Sequence, residues 1–139
     1  MIPIEILKIK DILRDGYHIF CRIHIKNKEY RSLIDTGCSM TMFNIKKYYK
    51  FSDNIIENNN QIITTINGDI SSKYGIIDEI KIGNIIINNY KTILIDLESF
   101  NGIYRKRGLP LIDCVIGNDI LMNYKSIINY FDKTLTLNE

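Results

Sequence analysis

The sequence predicts an all-β protein built as a single domain, and three observations carry the prediction. The chain has 139 residues, the size of one domain around one hydrophobic core. It contains 31 Ile and 15 Asn but one Val, no Ala and no Trp, so the best helix former is missing while a β-branched residue dominates. Ile, Asn, Lys and Tyr rise together, as in an AT-rich coding sequence, and the physical consequence is the same. Apolar residues then alternate with polar ones at period two in successive segments, separated by turn signals such as Asn67-Gly68 and Gly83-Asn84. With 45% hydrophobic and 24% charged residues, the chain can bury a core and is not compositionally disordered.

The elements follow in order. Ile2, Ile4 and Ile6 alternate with Pro3 and Glu5, which predicts an N-terminal strand at a sheet edge, because Pro3 has no N–H to give a ladder. Over residues 17–26, Tyr17, Ile19, Cys21, Ile23 and Ile25 face one way, and His18, Arg22, His24 and Lys26 mostly the other. Residues 27–29 turn the chain into a strand at 30–34. Residues 41–50 mix aromatic and polar side chains and fit either a short strand or a helical turn. Residues 51–60, with three consecutive Asn, read as a surface loop. A strand at 61–66, the Asn67-Gly68 turn and a return at 69–82 give the strongest hairpin signal, and a strand at 85–97 follows. Residues 98–110 read as a polar loop whose Arg105, Lys106 and Arg107 are a solvated basic triplet. A short apolar strand at 111–116 leads to a brief helix at 117–124, where Ile120, Leu121 and Tyr124 have helical spacing. Strands at 125–131 and 134–137 finish the chain.

Charge and cysteine usage exclude several classes of function. Eighteen Lys and Arg against sixteen Asp and Glu leave a formal charge of +2, too close to balance to imply nucleic acid or an anionic membrane. Cys21, Cys38 and Cys114 have neither metal-ligand spacing nor an even disulfide framework, so reduced thiols are expected. No apolar run is long enough to span a bilayer, and the N-terminal alternation is unlike a signal peptide. A soluble, cytoplasmic protein is the expectation. His18 and His24 lie roughly 20 Å apart along a strand, too far to ligate one metal, and read as exposed strand residues. Ser39 lacks a nucleophile elbow, and neither His is placed to activate Cys38.

The chemistry concentrates in Ser32-Leu33-Ile34-Asp35-Thr36-Gly37-Cys38-Ser39. An apolar strand delivers a carboxylate into a Thr-Gly turn, where Gly37 permits a tight path and nearby amides and the Thr36 hydroxyl can fix Asp35. On its own, Asp-x-Gly is also an ordinary turn. About eighty residues later, residues 111–121 repeat the theme of apolar strand, Gly and short helix.

This order resembles the retropepsin-like aspartic proteases, the retroviral and retrotransposon proteases with their cellular and bacterial relatives. Leu33-Ile34-Asp35-Thr36-Gly37 is similar to the family's catalytic loop, and Val115-Ile116-Gly117 to its second apolar-apolar-Gly block. Thr65-Ile66-Asn67-Gly68-Asp69 falls where the family carries the tip of a mobile, substrate-covering flap. The resemblance implies a closed β-barrel of the acid-protease type with one short C-terminal helix, spanning residues 1–139. Two departures stand out: Cys38 follows the catalytic Gly, where Ala or Ser is common. Asn118, Ser39 and Met40 stand where retroviral members place an Arg and its acidic partner.

What the resemblance implies is an aspartic endopeptidase that needs no metal or other cofactor. Two carboxylates share one proton: one activates water, while the other polarises the scissile carbonyl and protonates the leaving amine. Carboxylates at contact distance cannot both ionise readily, so such a pair titrates as a unit, one step held well below the ordinary aspartate range and the other raised above it, as in pepsin. This chain has one Asp-Thr-Gly, and Asp113, in Leu111-Ile112-Asp113, is followed by Cys-Val instead of Thr-Gly. The second Asp35 therefore comes from another copy, in a twofold homodimer whose substrate is a peptide or protein and whose terminal strands either interleave between subunits, as in the resembling family, or close the monomer's own sheet. The alternative is a catalytically silent dimeric binding or scaffold module on the same fold.

Overall fold

The computed structural model describes residues 1–10, 13–65 and 68–139. The N-terminal alternation yields two strands, broken at the buried Ile4. β1 (Ile2–Pro3) is an edge of a three-stranded sheet, and β2 (Glu5–Lys10) an edge of an eight-stranded one. Pro3 thus sits where a missing donor does no harm. β3 (Asp15–Ile25) and β4 (Lys28–Ile34) form an antiparallel hairpin. It is turned by Lys26 and Asn27 at φ 51° and 62°, the paired left-handed positions of a type I′ turn.

The large sheet continues through β5 (Met42–Asn44), β6 (Glu57–Thr65), β7 (Gly68–Ile82), β8 (Ile85–Ile95) and β9 (Cys114–Ile116), in the order β2-β3-β4-β9-β5-β8-β7-β6. A further pairing of β3 with β7, His24 opposite Lys81, closes the six strands from β3 to β7 into a ring. The expected all-β barrel is there. One face of the ring, with Ile23, Ile25, Phe43, Ile77, Ile80 and Leu94, forms the main core. Phe20, Leu33, Ile93, Ile95 and Val115 belong to a second core on the other side. Strands buried on both faces explain why residues 93–95 and 114–116 read as unbroken apolar runs.

Helix content departs from expectation. Besides α3 (Asn118–Asn123), two further helices occur: α1 (Tyr48–Phe51), entered through a 3₁₀ turn at Ile45–Lys47, and α2 (Glu98–Lys106). The ambiguous segment after Thr41 is thus strand first and helical turn second. Residues 98–110 are not a polar loop: α2 buries Asn101 and Tyr104 against the second core. Asn101 ties it down, donating to Ile112 O and accepting from Ile112 N–H. β6 also starts earlier than expected, at Glu57. β10 (Ile127–Asn129) and β11 (Thr134–Thr136) join β1 in the small sheet, ordered β1-β11-β10.

One glycine is fixed by packing. The buried Tyr48 hydroxyl donates to Ile76 O at 3.1 Å and accepts from Ile76 N–H at 3.0 Å, which lays its ring against Gly75. A Cβ there would stand 2.5 Å from the ring. Gly75→Ala is expected to lower stability by about 2 kcal/mol, read as a reduced denaturant midpoint with unchanged slope.

Candidate active site

The parallel pairing of β4 with β9 sets Ser32, Leu33 and Ile34 beside Cys114, Val115 and Ile116. Asp35 N–H extends the ladder by donating to Ile116 O at 3.0 Å. The two apolar blocks singled out in the sequence are thus brought side by side, and the chain leaves β4 at Asp35. Gly37 N–H donates to Asp35 Oδ1 at 2.9 Å, and Cys38 N–H to Asp35 O at 3.1 Å. A Cβ on residue 37 would lie 3.2 Å from that carboxylate oxygen, so glycine is what lets the amide approach it closely. Asp35 is half-buried, while Thr36 and Gly37 are exposed.

The loop rests directly on the start of α3. A Cβ on Gly117 would meet Cys38 O at 2.7 Å and Met40 C at 2.8 Å, so main chain packs on main chain. Asn118 N–H donates to Cys38 O at 2.8 Å, Asp119 N–H to Ser39 O at 3.1 Å, and Asn118 Nδ2 to Thr36 O at 2.6 Å. Beneath them lies a clasp that the sequence did not disclose. The buried Thr41 hydroxyl accepts from Gly117 N–H and donates to Asp119 Oδ1, which also accepts from Thr41 N–H at 2.8 Å. Tyr90 donates its hydroxyl to the other Asp119 oxygen. Burial, reinforced by Asp119, pushes the Tyr90 phenol well above its usual range, so it remains a donor. Where the sequence lacks an Arg–acid pair, Asn118 and the Thr41–Asp119–Tyr90 clasp hold the loop.

His18 is not a freely exposed strand histidine. Its Nδ1 lies 2.8 Å from the Tyr104 hydroxyl, and the two rings meet edge-on. Burial pushes the imidazole below its usual range, with Asp35 pulling the other way. Burial pushes Tyr104 up to about 12. Cys38 points its thiol at Met40 O, 3.0 Å away, and burial raises it above the ordinary thiol range, a poor setting for a thiolate nucleophile.

Asp113 belongs elsewhere. The register that sets Ile34 beside Ile116 puts Asp113 beside Arg31, four residues or about 13 Å along the strand from Asp35's level. Its carboxylate accepts from Arg31 N–H at 3.0 Å and from Lys47 Nζ at 2.5 Å. Asp113→Ala is expected to cost about 2 kcal/mol of stability, because Lys47 is partly solvated but the Arg31 amide is not; thermal melts check this.

Of the hairpin residues singled out in the sequence, Thr65 and Gly68 pair as the last rung of β6–β7, and Thr64 faces Asp69. Gly68 has φ 116°, a conformation that favours glycine. Ile66 and Asn67 lie outside the described residues. A cavity of about 560 Å³ sits at the far end of the β3–β4 hairpin, lined by Asn27 and Glu29 among others and not by Asp35. No helix among the described residues is long and apolar enough to cross a membrane.

Known proteins share this fold. No curated protein matches the sequence, but solved structures match the fold. The retroviral protease-like domain of Ddi1 from Leishmania major superposes with a TM-score of 0.55 at 13% identity, covering 86% of this chain and 87% of that one. A retropepsin-like aspartic protease from Rickettsia conorii gives 0.51 at 14%, over 93% and 88% of the two chains. EIAV protease, complexed with the inhibitor HBY-793, gives 0.53 at 14%, over 92% and 98%. Such identities speak to fold alone. Residues 21–120, which run from β3 through the Asp35 loop to the first residues of α3, match the aspartyl protease family in sequence. Fold and family match converge, and the chain belongs to the aspartyl protease family in its retropepsin-like form.

Proposed function

We propose that residues 1–139 form one aspartic endopeptidase domain that works as a twofold homodimer, each copy giving one Asp35 to a shared dyad. The observation that carries this reading is the posture of Asp35. It ends a parallel strand pair, is pinned by the Gly37 amide and is still partly open to solvent. The other carboxylates of these motifs are engaged: Asp113 by Lys47 and Arg31 N–H, Asp119 by Thr41 and Tyr90. A second copy is the simplest source of the missing carboxylate. The small sheet supports this, since Ile127, Tyr130 and Phe131 on its β10–β11 hairpin are 58%, 62% and 94% exposed. Apolar side chains concentrated in this way mark an interaction face.

In the dyad, the ionised carboxylate takes a proton from water as that water attacks the scissile carbonyl. The protonated one donates to the carbonyl oxygen and then helps protonate the leaving amine. Thr36 and Gly37 hold the loop, and Val115, Ile116 and Gly117 brace it from below. The β6–β7 hairpin, whose last described rung pairs Thr65 with Gly68, serves as the flap. Among the described residues β6 is an edge strand of the large sheet, so an extended peptide can add to it through backbone hydrogen bonds.

The test is cleavage of a peptide library between about pH 4 and 7, with sedimentation of the same sample. Cleavage by a species that sediments as a dimer at micromolar concentration is the expected result. An inert wild type leaves only the dimeric binding module, and an active monomer overturns the shared dyad.

A further inference from the structure

The antiparallel register of β3 and β4 pairs Ile19 with Ile34. The next position along that register sets His18 opposite Asp35, and directly opposed residues share a sheet face with Cβ atoms roughly 5 Å apart. Tyr104 of α2 occupies His18 Nδ1, while Nε2 has no hydrogen-bond partner among the described residues. Arg107, at the exposed C-terminal end of α2, makes one long bond, 3.2 Å to Ile103 O, and its charge acts on the imidazole.

The remaining groups around His18 are accounted for. Leu7 of β2 pairs with it and carries no charge. Phe20 lies with its ring centroid 6.5 Å away. Arg31 stacks on that ring, 4.1 Å from its centroid, and is paired with Glu5 at 2.6 Å. Asp35 and Arg107 are therefore the charges that bear on His18.

We propose that His18 and Arg107 form a basic wall of the cleft, selecting peptides with an acidic side chain next to the bond that lies over Asp35. The inference rests on the protease reading above: a peptide seated on Asp35 must pass its cross-strand neighbour on the same face. A Glu side chain there meets a free Nε2 and a loosely held guanidinium, both donors without a competing acid other than Asp35 itself. Arg107 is charged at any working pH. His18, held below the usual imidazole range by burial, gains its proton only as the pH falls. A Glu of ordinary pKa, about 4.3, stays largely ionised down to about pH 5. Preference for acidic side chains therefore strengthens as the medium is acidified, within that window.

The experiment takes a peptide that the wild type cleaves and compares kcat/KM for Glu and Gln versions at each position flanking the cut bond. A preference for Glu of about tenfold at pH 5, falling to about threefold at pH 7, is expected at one of these positions. His18→Gln, which keeps a partner for Tyr104, removes the gain at low pH. Arg107→Gln lowers the preference at both pH values and keeps the gain. Equal cleavage of Glu and Gln peptides, or a low-pH gain that survives His18→Gln in a variant with wild-type melting temperature, overturns the inference and leaves the protease reading standing. Failure to cleave any peptide overturns that reading itself.

Discussion

Replacing Asp35 with Asn is expected to lower kcat for peptide cleavage by at least about a thousandfold, with the melting temperature within about 2 °C of wild type. The amide is nearly isosteric with the carboxylate, and its oxygen can still accept the Gly37 N–H that now holds Oδ1 at 2.9 Å. The loop keeps its shape but has nothing to take a proton from water. A shared dyad adds a sharper signature. When wild-type and Asp35→Asn subunits exchange freely in equal amounts, activity should fall to about a quarter, because only dimers with two intact carboxylates turn over. A site complete within each chain would retain about half. Titrating the variant into a fixed amount of wild type separates the two curves.

The second large effect is expected from Asp119→Ala. Thr41 N–H, the Thr41 hydroxyl and the Tyr90 hydroxyl all donate to this carboxylate, and Thr41 is 1% exposed. Removing the acceptor leaves donors stranded out of water at about 1–3 kcal/mol each, partly relieved by hydroxyl rotation, so a loss of about 3 kcal/mol is expected in denaturant unfolding. Asp119→Asn keeps an acceptor toward Thr41 and presents its NH₂ to Tyr90, whose hydroxyl can turn to accept; about 1 kcal/mol is expected. If the clasp also positions Asp35, Asp119→Ala lowers kcat more than KM at a temperature where the variant is fully folded. A fall in the folded fraction alone would change neither constant per folded molecule.

The contrast between these two residues shows what the sequence makes legible. Asp35 can be found because its setting is local: an apolar strand, an acid, then Thr36-Gly37, within a few positions. The β3 alternation is legible for the same reason, and Ile19, Cys21, Ile23 and Ile25 are indeed buried together. Asp119 is hidden because its partners Thr41 and Tyr90 stand 78 and 29 residues away, and an acid in the first turn of a helix ordinarily needs no further explanation. α2 is missed because Arg105, Lys106 and Arg107 dominate its composition, while the contacts that stabilise it, Tyr104 to His18 and Asn101 to Ile112, are tertiary. Local signals were present: Asp96 Oδ1 accepts the Glu98 N–H, and Glu98 pairs with Arg105. Together they give an acid before and within the first turn and bases in the last.

The parallel seam between β4 and β9 also dictates when the Asp35 loop can exist. Asn118 and Thr36, which meet across it, are 82 residues apart, and contacts of such separation form only after the intervening chain has closed on itself. On a ribosome, Asp35 emerges long before Ile116, Gly117 and Thr41's partner Asp119, so a growing chain carries the carboxylate without the backbone that seats it. Synthesis order therefore works as a delay: the loop is assembled only after nearly the whole barrel has been made.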